Sequence, residues 1–154
     1  MITAVKVTLR SFSEKDIPVL QRQTYRDKSA NEIRKIMADW NLKEFQAKYF
    51  EMFAVLAGDS TVGMISLYQH SKSVVSCGIE IFPEYRGQGF GKEAMALTLE
   101  TARDKGYQIA SNQVRTDNQP SIALHHALGF ESDGYVYTNQ KGRAVSIYLK
   151  PLTS

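Results

Sequence analysis

Period-two alternation opens the chain. Val5, Val7 and Leu9 interleave with Ala4, Lys6 and Thr8 over residues 3–9, the pattern of a half-buried strand. Ser13-Glu14-Lys15-Asp16 is a cluster of helix-start residues and predicts a helix through Gln23, and a second helical stretch is expected over residues 30–50. Residues 52–57 and 62–68 are short apolar runs joined by Gly58-Asp59-Ser60-Thr61, which reads as a hairpin turn, and residues 74–82 make a third strand. A helix follows over about residues 89–105, with Arg103 and Lys105 in its last turn and Gly106 at the left-handed cap position. Residues 108–115 read as a strand. Pro120 suits the first turn of the next helix and Gly129 its end, and β segments at 131–137 and 144–149 flank a polar turn at 139–142. No repeat or linker interrupts this order, so residues 1–154 are expected to form a single α/β domain.

Between the third strand and the long helix stands Pro83-Glu84-Tyr85-Arg86-Gly87-Gln88-Gly89-Phe90-Gly91-Lys92. Glycines at alternate positions let a backbone turn tightly and bring its N–H groups up to a ligand. The helix start adds unpaired donors and a partial positive charge, so the loop is an anion cradle suited to a pyrophosphate. Spacing narrows the guest. A dinucleotide fingerprint needs a glycine where Lys92 stands, and a P-loop needs a glycine at Arg86 and a Ser or Thr at Glu93. What remains is R-x-x-G-x-G: Arg86, Gly89 and Gly91.

That pattern resembles the pyrophosphate loop of the GNAT superfamily of acyl-CoA-dependent N-acetyltransferases. A second segment, Asn118-Gln119-Pro120-Ser121-Ile122-Ala123-Leu124-His125-His126-Ala127-Leu128-Gly129-Phe130, resembles the superfamily's N-x-x-A-x-x-L-Y-x-x-x-G-F signature in register and order. The resemblance implies an α/β (α+β) fold: a mixed, mostly antiparallel sheet of six to seven strands flanked by about four helices. It also implies acetyl-CoA as acyl donor and an amine as acceptor.

Composition is compatible with this. At 154 residues the chain can bury roughly 70% of its unfolded surface. A net charge of +3 suits a polyanionic cosubstrate but falls short of a nucleic-acid-binding stripe, so no nucleic acid is expected. The N-terminus lacks the order of a signal peptide and the longest apolar run, 52–57, is too short for a bilayer; no membrane partner and a cytoplasmic location are expected. One cysteine, Cys77, rules out an internal disulfide and a thiolate cluster, and no metal is expected. The oligomeric expectation is a monomer or a homodimer.

The resemblance also distributes roles. Backbone groups of Ile79, Ile81 and Phe82 would pair with the pantetheine amides, with a strand N–H near Ile81 polarising the thioester carbonyl. Gly87, Gln88, Gly89, Phe90, Gly91 and Lys92 would offer amides to the pyrophosphate, and Arg86 and Lys92 would add charge. Asn118 would contact the CoA arm, cap a helix, or do both. His125 occupies the position of a tyrosine that protonates the departing thiolate; an imidazolium near pKa 6.5 is the better acid. Relatives that acetylate ribosomal protein N-termini carry a glutamate base where this chain has Gln113, which takes no proton; either another carboxylate acts through water, with Glu80 on the third strand the candidate, or the acceptor amine arrives already neutral. The expected function is acetyl transfer from acetyl-CoA directly to a small-molecule amine or a peptide N-terminus. The alternative is a non-catalytic acyl-CoA-binding domain.

Overall fold

The computed structural model describes residues 5–153, so the expected strand start at Thr3 and Ala4 lies outside the described residues. The strands are β1 (Val7–Arg10), β2 (Glu44–Phe45), β3 (Lys48–Ala57), β4 (Ser60–Gln69), β5 (Val74–Ile81), β6 (Ile109–Arg115), β7 (Glu131–Ser132), β8 (Tyr137–Thr138) and β9 (Ala144–Pro151). The helices are α1 (Ile17–Gln23), α2 (Ala30–Asn41), α3 (Phe90–Asp104) and α4 (Gln119–Ala127). Among the described residues no helix is long and apolar enough to cross a membrane.

The apolar runs at 52–57 and 62–68 become the central hairpin. A loop of Gly58 and Asp59 closes it, since Ala57 already pairs with Ser60, and Gly58 supplies a φ of +60°. Opposite Val55 and Leu56 the register slips by one residue, leaving Val62 as a bulge in β4. Next to it, Gly63 lets β4 and β5 approach closely: a Cβ there would lie 2.3 Å from the Glu80 carbonyl oxygen.

The strand order is β1-β3-β4-β5-β6-β9-β7, with the two-residue strands β2 and β8 attached to β3 and β9. Antiparallel pairing runs throughout except between β5 and β6, which pair in parallel at Val74 with Ile109 and Val75 with Ala110. Beyond Val75 and Ala110 that ladder stops and the two strands part. The expected fold class is therefore observed: four helices flank a mixed, mainly antiparallel sheet.

Two expected boundaries were wrong. The second helical stretch ends at Asn41, and residues 44–50 instead form β2 and the start of β3. The segment at 131–137 is not one strand but β7 and an intervening loop leading into β8.

Each face of the sheet is covered by its own helices. Val75, Cys77, Ile65 and Leu67 pack with Met95, Leu99 and Ala102 of α3, while Ala54, Leu56, Met64 and Phe82 pack with Leu20 of α1 and with Ile33 and Met37 of α2. Ser29 and Glu32 form a reciprocal capping box at the start of α2.

A single buried carboxylate ties the second layer to the sheet. Asp16, 1% exposed, accepts from Arg10 Nη1 at 2.7 Å and Nη2 at 3.0 Å, from the Ser13 N–H at 2.8 Å and from Thr61 Oγ1 at 2.8 Å. Burial pushes its pKa up, but these donors outweigh burial and hold it below the usual carboxylate value. Asp16→Ala strands a guanidinium and two further donors, and we expect a loss of about 3–5 kcal/mol. A fall in the urea midpoint at unchanged slope checks this. Because the folded pKa is depressed, the contribution is complete above the unfolded value near 4 and is lost as pH falls through the folded value.

Candidate active site

The site grows from the parting of β5 and β6. In an antiparallel ladder the N–H and C=O of one residue point to the same edge, and successive residues point to opposite edges. The Phe82 N–H donates to the Val62 carbonyl at 2.9 Å, so Phe82 and Glu80 face β4, whereas Cys77, Ile79 and Ile81 face the parted edge. This corrects the expectation for Phe82: its N–H is held by Val62, its carbonyl accepts from the Tyr85 N–H at 2.9 Å, and its side chain is fully buried.

On the parted edge two groups are already engaged. The Cys77 N–H donates to Asn112 Oδ1 at 2.8 Å, and the Ile81 carbonyl accepts from Arg86 Nε at 2.8 Å. Arg86 thus ties the glycine loop back to the strand that it leaves. The Ile79 N–H and C=O and the Ile81 N–H have no partner among the described residues.

The edge runs into a second set of free donors. The first α3 bond is from the Glu93 N–H to the Gly89 carbonyl, and no amide from Gly87 to Lys92 has an intramolecular acceptor among the described residues. Gly87 and Gly89 take φ values of +77° and +83°, and a Cβ at either would meet nothing within 4 Å. A non-glycine residue rarely adopts these angles, and a run of free amides at the start of a 15-residue helix attracts an anion. The Gln88 and Lys92 side chains are exposed, Phe90 is half-buried, and Gly91 lies against the Ile79 and Ile81 side chains. Asn118 caps α4, its Oδ1 accepting the Ser121 N–H at 3.2 Å, and its side chain stays exposed.

His125 is placed otherwise than expected. It is 4% exposed, with its ring against Phe130 and Tyr148. Nδ1 lies 2.7 Å from the Ser121 carbonyl and so carries the proton, while Nε2 lies 3.1 Å from Asn112 Nδ2 and accepts. Burial lowers its pKa more than the Ser121 carbonyl raises it, and His126 lowers it further, so the ring is neutral at pH 7. In this arrangement its one ring proton is engaged at the Ser121 carbonyl. His126, the next residue, is exposed.

Asn112 was missed by the sequence reading. It is 2% exposed and bridges the parted strands at the point where pairing stops, holding β5 through Cys77 and α4 through His125. A signal existed: Ala110, Asn112 and Val114 alternate as the inward face of β6, so a polar side chain at 112 had to find buried partners.

On the α1 and α2 side of the sheet the parting opens into a cleft of about 480 Å³, lined by Ser66, His70, Ser76, Gly78, Ser111 and Gln113. Glu80 shares that face, half-buried, and its charge, after burial, raises the Tyr25 pKa. Burial, and then Lys48, lowers the pKa of His70. Cys77 points into the opposite layer, where burial pushes its thiol up to about 12, a poor nucleophile.

Comparison with known proteins agrees with this geometry. The model of the acetyltransferase (GNAT) family matches residues 15–130. An uncharacterized N-acetyltransferase derived from the SPbeta prophage of Bacillus subtilis, YokL, is 30% identical over 145 residues, covering 86% of this chain and 80% of that one. Mycobacterium smegmatis RimJ, solved with CoA-disulfide, superposes with a TM-score of 0.81 at 16% identity, covering 94% of this chain and 81% of RimJ. Spermidine N-acetyltransferase from Vibrio cholerae, solved with CoA and spermine, gives 0.75 at 16% identity and 95% coverage of both chains. The parted strand edge, the free amides beside it and the family match over three-quarters of the sequence agree: the chain belongs to the acetyltransferase (GNAT) family and is an N-acetyltransferase, acting on amino groups.

Proposed function

We propose that the protein transfers acetyl from acetyl-CoA directly to a primary amine that enters through the cleft between β5 and β6. One observation carries this reading: the unpaired edge of β5 at Ile79 and Ile81 leads straight into six unpaired amides, Gly87 to Lys92. That sequence of donors matches a ligand with an amide-bearing arm and a pyrophosphate. Bound acetyl-CoA would supply the activated acyl thioester. The Ile79 C=O and Ile81 N–H hold the arm, the amides from Gly87 to Lys92 hold the pyrophosphate, Arg86 and Lys92 add charge, and Asn118 contacts the arm while capping α4.

The Ile79 N–H is the first free donor beyond the Asn112 bridge, and it sits on a strand fixed by β4 on its other edge. It donates to the carbonyl oxygen as negative charge grows there, at no cost of reorganisation. Glu80, next along β5 and on the cleft face, takes one proton from the acceptor ammonium through water and so frees the nitrogen lone pair for attack. The amine nitrogen bonds to the carbonyl carbon, the C–S bond breaks, and the proton that the nitrogen sheds on becoming an amide passes through water to the departing thiolate. Asn112 and His125 act by position alone. The protein works as a monomer or a homodimer in the cytoplasm, as one domain over residues 1–154, and needs no metal.

A second reading, an acyl-CoA-binding domain without turnover, draws on Gln113 in the cleft where relatives carry a base. Two measurements separate the readings. Acetyl-CoA at a hundredfold excess over Kd is expected to stabilise the fold by about 2.7 kcal/mol, seen as a rise in Tm. Thiolate release with a panel of peptides, polyamines and aminoglycosides is expected for at least one class. A thermal shift without release under every amine leaves the binding domain; no shift at all overturns both.

A further inference from the structure

Beside the cleft lies a groove that the acyl-CoA reading does not use. Ile36, Asp39 and Trp40 on α2 face Glu44, Phe45 and Phe50 across about 410 Å³, the size of one aromatic or branched apolar group with room around it. Phe45 is 54% exposed. The turn that presents it is costly, because Gln46 and Ala47 take φ values of +52° and +65° without a glycine. What is gained is an aromatic wall. Phe45, Phe50 and Tyr68 meet with ring centroids 6.0–6.4 Å apart, and Tyr68 meets His70 edge-on at 5.1 Å.

His70 lines the cleft at the parted strands, so groove and cleft share this wall. Register fixes their separation. Phe50, Tyr68 and Ser76 are directly paired across β3, β4 and β5, and all three face the same side of the sheet. Two strand spacings put Phe50 about 10 Å from Ser76 on β5, and Ile79, three residues further along at about 3.3 Å each, stands about 14 Å from Phe50. Asp39 and Glu44 have no ion-pair partner among the described residues, so the groove mouth is negative.

We propose that this groove is the acceptor's second subsite, holding an apolar group of aromatic size carried roughly 10–14 Å from the amine that is acetylated, with no carboxylate at that end. The proposal rests on the acetyl-transfer reading. It disfavours free aromatic amino acids, whose ring is too close to the amine and whose carboxylate would approach Asp39 and Glu44. It favours either an arylalkylamine with a long linker or a peptide N-terminus with an aromatic third residue.

Trp40, the protein's one tryptophan, lines the groove and reports on it directly. With CoA present, its emission is titrated with 6-phenylhexylamine against hexylamine, and with Ala-Ala-Phe amide against Ala-Ala-Ala amide. In at least one pair the aromatic member is expected to bind tenfold or more tightly. The pair that shows the preference identifies the source, small molecule or peptide. Phe45→Ser, at an exposed position, is expected to remove that preference while leaving the acetyl-CoA thermal shift intact. Equal affinities within both pairs overturn the proposal, and so does an aromatic preference that survives in Phe45→Ser. Loss of the acetyl-CoA thermal shift in the parent protein would instead overturn the acetyl-transfer reading, and this one with it.

Discussion

Gly89→Glu is expected to raise the Kd for acetyl-CoA at least a hundredfold while the domain stays folded. The fold has room for the change, since a Cβ at Gly89 meets nothing within 4 Å. Its cost is conformational: a φ of +83° is left-handed, and a residue other than glycine gives up roughly 1–2 kcal/mol there. For a domain of this length that lowers Tm by about 2–8 °C, given roughly 2–4 °C per kcal/mol. Binding suffers far more. A carboxylate at the head of the free amides from Gly87 to Lys92 meets the field meant for a pyrophosphate and occupies its donors. Gly91→Glu is the less clean variant, because the Gly91 Cβ position lies 3.5 Å from the Ile81 side chain and 3.6 Å from that of Ile79, so a large side chain there strains the α3–β5 contact. Calorimetry for binding and circular dichroism for the fold decide the matter. Retained affinity in a folded Gly89→Glu protein would make this loop a turn and nothing more.

The loop was legible in the sequence because its chemistry is local: glycine spacing and a following helix suffice to imply free amides. The central hairpin was legible for a similar reason, two apolar runs either side of Gly58-Asp59. The end of α2 was not. A helix normally announces its stop with glycine or proline, but here Lys43 takes the left-handed angle at φ +55°, and the β2–β3 turn is made by Gln46 and Ala47. Neither carries turn chemistry, so Glu44, Phe45 and Tyr49 read as more helix. The loop after β7 failed in the opposite sense: Tyr135, Val136 and Tyr137 have strand character, yet Asp133 accepts the Tyr135 N–H at 2.9 Å and Gly134 turns at φ +81°. In the site, motif matching gave the position of His125 but not its surroundings. Whether an imidazole is an acid or a strut depends on Asn112, Ser121 and Phe130, which reach it only in the folded chain.

Asn112→Leu is therefore expected to damage both stability and turnover, and by more than any change at the exposed His126. Leucine is close in volume but leaves the Cys77 N–H and His125 Nε2 without partners in a buried place. One unsatisfied buried group costs about 1–3 kcal/mol, so a loss near 3 kcal/mol is expected. Turnover is expected to fall at least tenfold beyond any loss of folded protein, with a smaller change in acetyl-CoA affinity, because the Cys77 bridge sets where the Ile79 N–H points. His125→Phe tests the strut from its other end. The His125 pKa is lowered in the fold, so below the unfolded value near 6.5 the unfolded chain binds a proton that the native ring refuses. Native stability should thus decline as pH falls from about 6.5 to the folded pKa, with a slope of up to about 1.4 kcal/mol per pH unit. His125→Phe removes that part of the slope, leaving the similar but separate contribution of His70. The same variant strands Asn112 Nδ2, and its kcat should drop with a pH profile of unchanged shape. A kcat profile that instead loses a basic limb would restore His125 as the acid that protonates the departing thiolate.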